Sequence, residues 1–370
     1  MKKRLLQLAA LGAAVAFVGF LVAASGVIPV RASSGHWAIT HWFLSFSMHR
    51  SIRTHAMGTE VPPLDDPNLA LKGAGHYDLA CAHCHGSPSR PPSGVTRAMT
   101  PPPPTLSRSL AEWGPAELFQ IVKHGIKLTG MPAWPSQPRD DEVWAMVAFL
   151  RVLPRLDAPA YRRLVDGQAP ARGDLPGGEI LPRAEVPSAV LAGCARCHGT
   201  RGEGRGAGAY PALAGQRPGY LLASLEAYAR QTRHSGIMGP VAADLRPEDR
   251  VALARYYAAM PAPSRAGASP SGDIARGREI AHRGVRGRRV PACVACHGPG
   301  GRPRNPTYPR LAGQYGGYLA LQLQLFQSHR RGGTPYAHLM DRAAHGLTPD
   351  QIRDVARYYA SLDPEAAPSP

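Results

Sequence analysis

The sequence predicts an all-α protein: three tandem helical domains behind an N-terminal membrane-spanning segment. Three observations carry this reading. The chain opens on a long apolar run. One pentapeptide, Cys-x-x-Cys-His, occurs three times at intervals of roughly 100 residues. Each copy is followed by a stretch with helical apolar spacing that begins at an acidic residue or a proline.

The apolar run comes first. Lys2, Lys3 and Arg4 precede an uncharged stretch from Leu5 to Val30. A cleaved signal carries an apolar region of about 7–15 residues, whereas a spanning helix needs about 20. Val22-Ala23-Ala24 and Val30-Arg31-Ala32 are candidate signal-peptidase sites, but the length favours an uncleaved anchor over residues 1–34. The basic end stays inside, which puts the rest of the chain on the periplasmic side of a bacterial cytoplasmic membrane. Residues 35–60 hold Trp37, Trp42, Phe43 and Phe46, then Arg50 and Arg53, and read as a juxtamembrane segment lying on the outer membrane face. Its histidines, His36, His41, His49 and His55, read as solvated side chains.

The pentapeptides carry the chemistry. They are Cys81-Ala82-His83-Cys84-His85, Cys194-Ala195-Arg196-Cys197-His198 and Cys293-Val294-Ala295-Cys296-His297, and they use all six cysteines of the chain. The pattern is that of covalent haem c attachment. Two thiols three residues apart reach the two vinyl groups on one porphyrin edge, and the next residue on the same turn brings its imidazole to the iron. A zinc site needs its cysteine pairs close together, and these are far apart. A thioredoxin-like motif needs a βαβ setting and no histidine. Three covalently bound haems, with His85, His198 and His297 as iron ligands, are therefore expected.

The repeats also point to a second ligand for each iron. Tyr210-Pro211-Ala212-Leu213-Ala214-Gly215-Gln216 with Gly219-Tyr220-Leu221 returns as Tyr308-Pro309-Arg310-Leu311-Ala312-Gly313-Gln314 with Gly317-Tyr318-Leu319. Ala-Arg-Tyr-Tyr-Ala closes both units, at 254–258 and 356–360. The paired tyrosines are expected to pack on the neighbouring domain or on the haem. The first unit is more divergent, with Pro104-Thr105-Leu106 and then Val147-Ala148-Phe149-Leu150-Arg151. Met131, Met238 and Met340 each lie sixteen residues before the closing-helix marker, at Val147, Ala254 and Ala356. A shared offset in divergent repeats favours iron ligation over gap-filling in a core. Met99, Met146 and Met260 are weaker candidates, His124, His234, His329 and His345 are alternatives, and His338 lies two residues from Met340. Closing helices are expected over 140–153, 247–260 and 349–362.

On these motifs, residues 190–364 resemble the di-haem cytochrome c4 family. The resemblance implies two class I cytochrome c domains packed together, His/Met ligation by His198 with Met238 and His297 with Met340, and Pro211 and Pro309 carbonyls holding the imidazoles. Residues 68–155 resemble a separate mono-haem class I cytochrome c domain, with His85 and Met131 as the pair. One departure stands out. Glu185 to Gly193 leaves little room for an opening helix in the second domain. The expected boundaries are 61–160 for the first haem domain, 161–188 for a linker, 189–260 for the second domain, 261–273 for another linker, 274–364 for the third domain and 365–370 for a tail.

Charge narrows the partners. Forty-three Lys and Arg against 26 Asp and Glu leave a formal charge of +17. With no nucleic-acid module in the chain, redox proteins with acidic docking faces, an oxidase, reductase or dehydrogenase, are the expected partners, together with the membrane. Arg283, Arg286, Arg288 and Arg289, with Arg302 and Arg304, form a basic cluster around the third motif. The function that follows is electron transfer in a respiratory chain. The alternatives are the electron-accepting subunit of a membrane dehydrogenase, or a haem enzyme acting on peroxide or a nitrogen oxide.

Overall fold

The computed structural model describes residues 2–167, 186–263, 272–298 and 305–364. Among these residues regular structure is helical, and β pairing is confined to four isolated bridges. The apolar run is one helix, Lys2–Ala24, with no buried residue. At 1.5 Å per residue it is about 35 Å long, the thickness of a bilayer core. The next helix, Ala38–Ala56, has two ends of different character. Trp37, Trp42, Phe43 and Phe46 are exposed, while Ile52 and Ala56 are buried against the helix Pro115–His124. The His49 ring sits 4.7 Å from Trp113, and Arg53 pairs with Glu117 at 3.5 Å. The juxtamembrane segment thus docks on the first haem domain at its C-terminal end instead of lying wholly along a membrane face.

Three hydrophobic cores follow in chain order. The first runs from Leu64 to Val165, the second from Val186 to Met260 and the third from Ile280 to Tyr359. In the first, the helix Pro67–His76 crosses the closing helix Asp140–Val152. Asp66 caps the former, its carboxylate accepting from Asn68 N at 2.9 Å. The crossing is close because position 73 has no side chain: a Cβ there would meet the Ala145 carbonyl and lie 2.6 Å from Phe149 Cβ. The third core repeats the arrangement with Ile274–Arg283 and Pro349–Ser361, where Gly277 lies against the Asp354 backbone. Pro349 occupies the first turn and Thr348 and Gln351 form a reciprocal cap. Among the described residues the second core shows no such crossing. Its opening helix, Ser188–His198, is short and carries the haem motif itself, and its closing helix, Pro247–Ala259, packs on Pro218–Ala229.

Two expectations change. The linker placed at 161–188 begins too early. Ala158–Asp166 is a helix, capped by Asp157, with Tyr161 and Val165 at 1% exposure in the first core. Tyr161 and Val165 fall on one face, and their burial outweighs the polar composition around them; the stretch 168–185 lies outside the described residues. The second linker ends early too, since Gly272 and Asp273 sit on the last helix, Asp273 N donating to Asp354 at 2.7 Å. Residues 264–271, the 365–370 tail, Arg302 and Arg304 lie outside the described residues.

Candidate functional site

Each Cys-x-x-Cys-His forms one helical turn that ends at a glycine with positive φ: Gly86 at 73°, Gly199 at 84° and Gly298 at 63°. Only glycine takes that conformation without cost, so the turn stops where the histidine has been placed. The three histidines then make the same bond. His85 Nδ1 lies 3.1 Å from Pro104 O, His198 Nδ1 2.9 Å from Pro211 O, and His297 Nδ1 3.1 Å from Pro309 O. A carbonyl only accepts, so each Nδ1 carries the proton and each Nε2 keeps its lone pair. Burial lowers the pKa of all three, against the raising effect of the proline carbonyl, and keeps the rings neutral. A neutral, oriented imidazole with a free Nε2 is the form that binds iron. His83, between the first cysteines, is exposed.

None of the six cysteines forms a disulfide. Burial pushes Cys81 and Cys194 up to about 12 and Cys293 up to about 11. A redox-active Cys-x-x-Cys has a depressed pKa, so dithiol exchange does not suit these pairs. The paired tyrosines settle inside their own domains. Tyr257 is hydrogen-bonded to Cys194, and burial and nearby Cys293 both raise the Tyr359 phenol. Tyr358 bonds His282 at 3.0 Å within the third domain. The neighbouring-domain half of the expectation fails, because the second tyrosine is drawn in by its own attachment cysteine.

The methionines differ in setting. Met131, Met238 and Met340 are all half-buried, whereas Met146 and Met260 are core residues at 1% and 5% exposure. Met99 comes close to Met131, since a Cβ on Gly130 would collide with Met99 Cε. His124, His329, His338 and His345 are exposed, and His338 Nδ1 is engaged by Pro335 O at 2.8 Å. Met131 N donates to Thr129 Oγ1 at 3.2 Å, and the Met238 backbone is held likewise. Ser235 Oγ accepts from Met238 N at 2.9 Å.

The second and third domains meet across a pseudo-twofold seam. Gln216 bonds the backbone of Arg310 twice, at 2.9 and 2.7 Å, and Gln314 bonds that of Ala212 twice, at 3.0 and 3.1 Å. Arg310 and Ala212 directly follow the prolines that hold the histidines. Two buried guanidiniums lie in the same seam. Arg233 bonds Ser224 (2.8 Å), Tyr318 (3.0 Å) and Tyr220 (3.3 Å), and both Arg233 and Arg331 reach Gln322 Oε1, at 3.4 and 2.7 Å. No carboxylate pairs with either among the described residues. Burial, then the neighbouring Arg233, lowers the Arg331 pKa, and burial of Tyr220 is outweighed by the two cations, which bring its phenol down to about 8. Two unbalanced cations in a buried seam are costly unless an anion joins them. Sequence reasoning did not single out this pair. The signal was there: each arginine lies fourteen residues after the glycine of its Gly-Tyr-Leu.

The first domain is fastened to the second at two places. Asp78 takes Arg196, which stands between Cys194 and Cys197, at 2.6 Å, and also accepts from Tyr161 at 2.8 Å. Tyr210 Oη reaches Leu71 O and Lys72 O at 3.0 and 3.1 Å. The other place is the start of the helix Asp140–Val152. Four exposed arginines, Arg283, Arg286, Arg288 and Arg289, precede the third motif.

Comparisons with known proteins place the chain among the cytochromes c. The family model for the cytochrome C oxidase, cbb3-type, subunit III matches residues 68–150, and that for cytochrome c matches 187–260 and 274–363. The chain is 37% identical over 188 residues to a thiosulfate dehydrogenase electron acceptor of Stutzerimonas stutzeri, covering 50% of this chain and 86% of that one. It is 37% identical over 183 residues to cytochrome c-552 of Acidithiobacillus ferridurans, covering 48% of this chain and 77% of that one. A solved cytochrome c4 of Acidithiobacillus ferrooxidans is 36% identical, with a TM-score of 0.42 over 46% of this chain and 98% of that one.

Proposed function

The chain belongs to the c-type cytochromes, electron-transfer proteins with covalently held haem c, and on that premise we propose a membrane-tethered carrier with three haems, one at each Cys-x-x-Cys-His. The observation that carries the reading is the threefold repeat of one bond, Nδ1–H to a proline carbonyl, at His85, His198 and His297. Bound haem would supply an iron that alternates between ferric and ferrous. The protein's part is to keep the surroundings of that iron still. The proline carbonyls fix the imidazoles; the cysteine pairs would hold the haem covalently, and Met131, Met238 and Met340 would be the second ligands to the irons. Closed positions suit outer-sphere transfer and leave no room for a small-molecule substrate. The seam between the second and third domains suits the group as well. Haem carries carboxylates, and Arg233 and Arg331 lack them. The helix Lys2–Ala24 is long enough to tether the domains to the periplasmic face of the membrane, and the exposed arginines before the third motif suit an acidic partner.

The test is a spectroscopic redox titration of the matured protein with a pyridine haemochrome count. Three low-spin haems with the far-red methionine–iron band and no carbon monoxide binding are expected. A count below three removes a motif from the reading. A high-spin haem that binds carbon monoxide removes a methionine and brings chemistry at an open iron to the front. A second reading is favoured by the relative named as an electron acceptor: this chain would be the accepting subunit of a dehydrogenase, with thiosulfate as the first substrate to try. Co-purification with such an enzyme, and substrate-dependent reduction of the haems, separates the subunit from a free carrier.

A further inference from the structure

The loop that bears Met238 is held from outside its own domain. Ser235 Oγ accepts from Met238 N at 2.9 Å and from Ile237 N at 3.2 Å, and the same hydroxyl donates to Glu142 Oε1 at 2.6 Å. Glu142 Oε2 accepts from Gly236 N at 2.6 Å and from Trp134 Nε1 at 3.4 Å. Glu142 is 2% exposed and belongs to the first domain's closing helix, where Arg139 pairs with it at 3.0 Å and also donates to His234 O at 2.6 Å. Ile237 packs on the first domain's core. Gly236 has no room for a side chain, because a Cβ would run into the Trp134 indole. Trp134 lies three residues after Met131. Two candidate ligand loops, one from each domain, thus meet back to back on one buried carboxylate.

We infer that Glu142 is a positioning residue for the neighbouring domain's iron site: through Ser235 it sets the backbone of Met238, so that the strength of the methionine–iron bond in the second domain depends on the first domain being docked. A methionine ligand is a weak one, and its bond survives only if its loop does not stray. Glu142 satisfies one hydroxyl and one backbone N–H of that loop, and removal strands both in a buried place. This inference rests on Met238 being the ligand, as proposed above.

The test uses the full three-haem protein and follows the far-red band as pH is raised until the methionines are displaced. Met238→Ala should remove about a third of the band at all pH values, since one of three such bonds is lost. Glu142→Ala and Ser235→Ala should each leave the band whole at neutral pH but make that same third about tenfold easier to displace, a midpoint shift of about one pH unit. The other two thirds should not move, which a general loss of stability would not achieve. Glu142→Gln keeps one acceptor oxygen and should fall in between. If Met238→Ala leaves the band intact, the ligand assignment is at fault. If Met238→Ala removes its third and Glu142→Ala does not move the midpoint, the positioning role is overturned, even where Ser235→Ala, which removes the loop's own cap on Met238 N, does move it. Should Glu142→Ala not fold, Glu142→Gln decides, and an unchanged midpoint there overturns the role.

Discussion

Replacing Gln314 with alanine should disturb the haem of the other domain. Gln314 belongs to the third domain, yet its amide bonds Ala212 N and Ala212 O, one residue beyond the proline that holds His198. Gln216 does the converse, bonding Arg310 beside the Pro309 carbonyl that holds His297. Both glutamines are 8% exposed, so water does not readily replace either amide. Each net hydrogen bond contributes about 1 kcal/mol, so losing two weakens the seam by about 2 kcal/mol, a factor of about 30 in its docking equilibrium. Gln314→Ala should therefore shift the potential and the imidazole resonances of the His198 haem first, and Gln216→Ala those of the His297 haem. Denaturant unfolding of each variant should show a loss near that size, and the double variant should approach the sum, because the two pairs share no atom. The reasoning is refuted if each variant perturbs the haem of its own domain, or if stability falls by less than about 0.5 kcal/mol.

Other outcomes follow from the same geometry. Met131→Ala and Met340→Ala should each remove about a third of the far-red band, while Met99→Ala leaves it whole; if Met99→Ala removes the band instead, the first domain's ligand is Met99. Burial beside Trp134 holds His76 down to about 4, well under its ordinary value of 6.5. The unfolded chain therefore takes up a proton first as pH falls, so the first domain should lose about 3 kcal/mol of stability between pH 6.5 and 4, and His76→Phe should flatten that slope in urea unfolding. Reversing Arg286, Arg288 and Arg289 to glutamate should slow reduction by an acidic donor at low salt, and an unchanged rate and salt dependence would remove the docking face.

The Cys-x-x-Cys-His turns were legible because they are local. A thioether pair and its histidine need one helical turn, and the closing helices announce themselves by Pro247, Pro349 and the acidic start at Asp140. Their ends fall within about one residue of expectation, as cap signals allow. What was illegible depends on backbone atoms or on residues with a second role. Arg205 ties the first domain to the second through the carbonyls of Leu164 and Val165, and a carbonyl leaves no mark in sequence. Asp140, Asp141 and Glu142 look like the ordinary acidic first turn of a helix, whose positive end they suit. In the fold they reach outward as well. Asp140 pairs with Arg330 of the third domain at 2.9 Å, and Glu142 holds the Met238 loop of the second. Helix 158–166 was hidden by polar composition, though Asp157 followed by Ala158-Pro159 is a start signal.

The two seams differ in kind, and the difference bears on how three domains act as one. Between the second and third domains, equivalent residues exchange equivalent bonds, as expected of two copies of one unit. The seam between the first and second is lopsided. The helix Pro67–His76 lies on its own closing helix through Gly73, and on the second domain through Asn68, whose amide oxygen accepts from Ala207 N at 2.7 Å, and through the Leu71 and Lys72 carbonyls. A Cβ on Gly75 would meet the Tyr210 hydroxyl and lie 3.3 Å from Cys197 Sγ. The second domain's opening helix among the described residues, Ser188–His198, is the one that carries the Cys-x-x-Cys-His itself. A helix borrowed from the first domain covers its haem motif, while a carboxylate from that domain holds its methionine loop. The second domain's Cys-x-x-Cys-His turn and its Met238 loop are thus both contacted by the first domain, and this ties that domain to the symmetric pair.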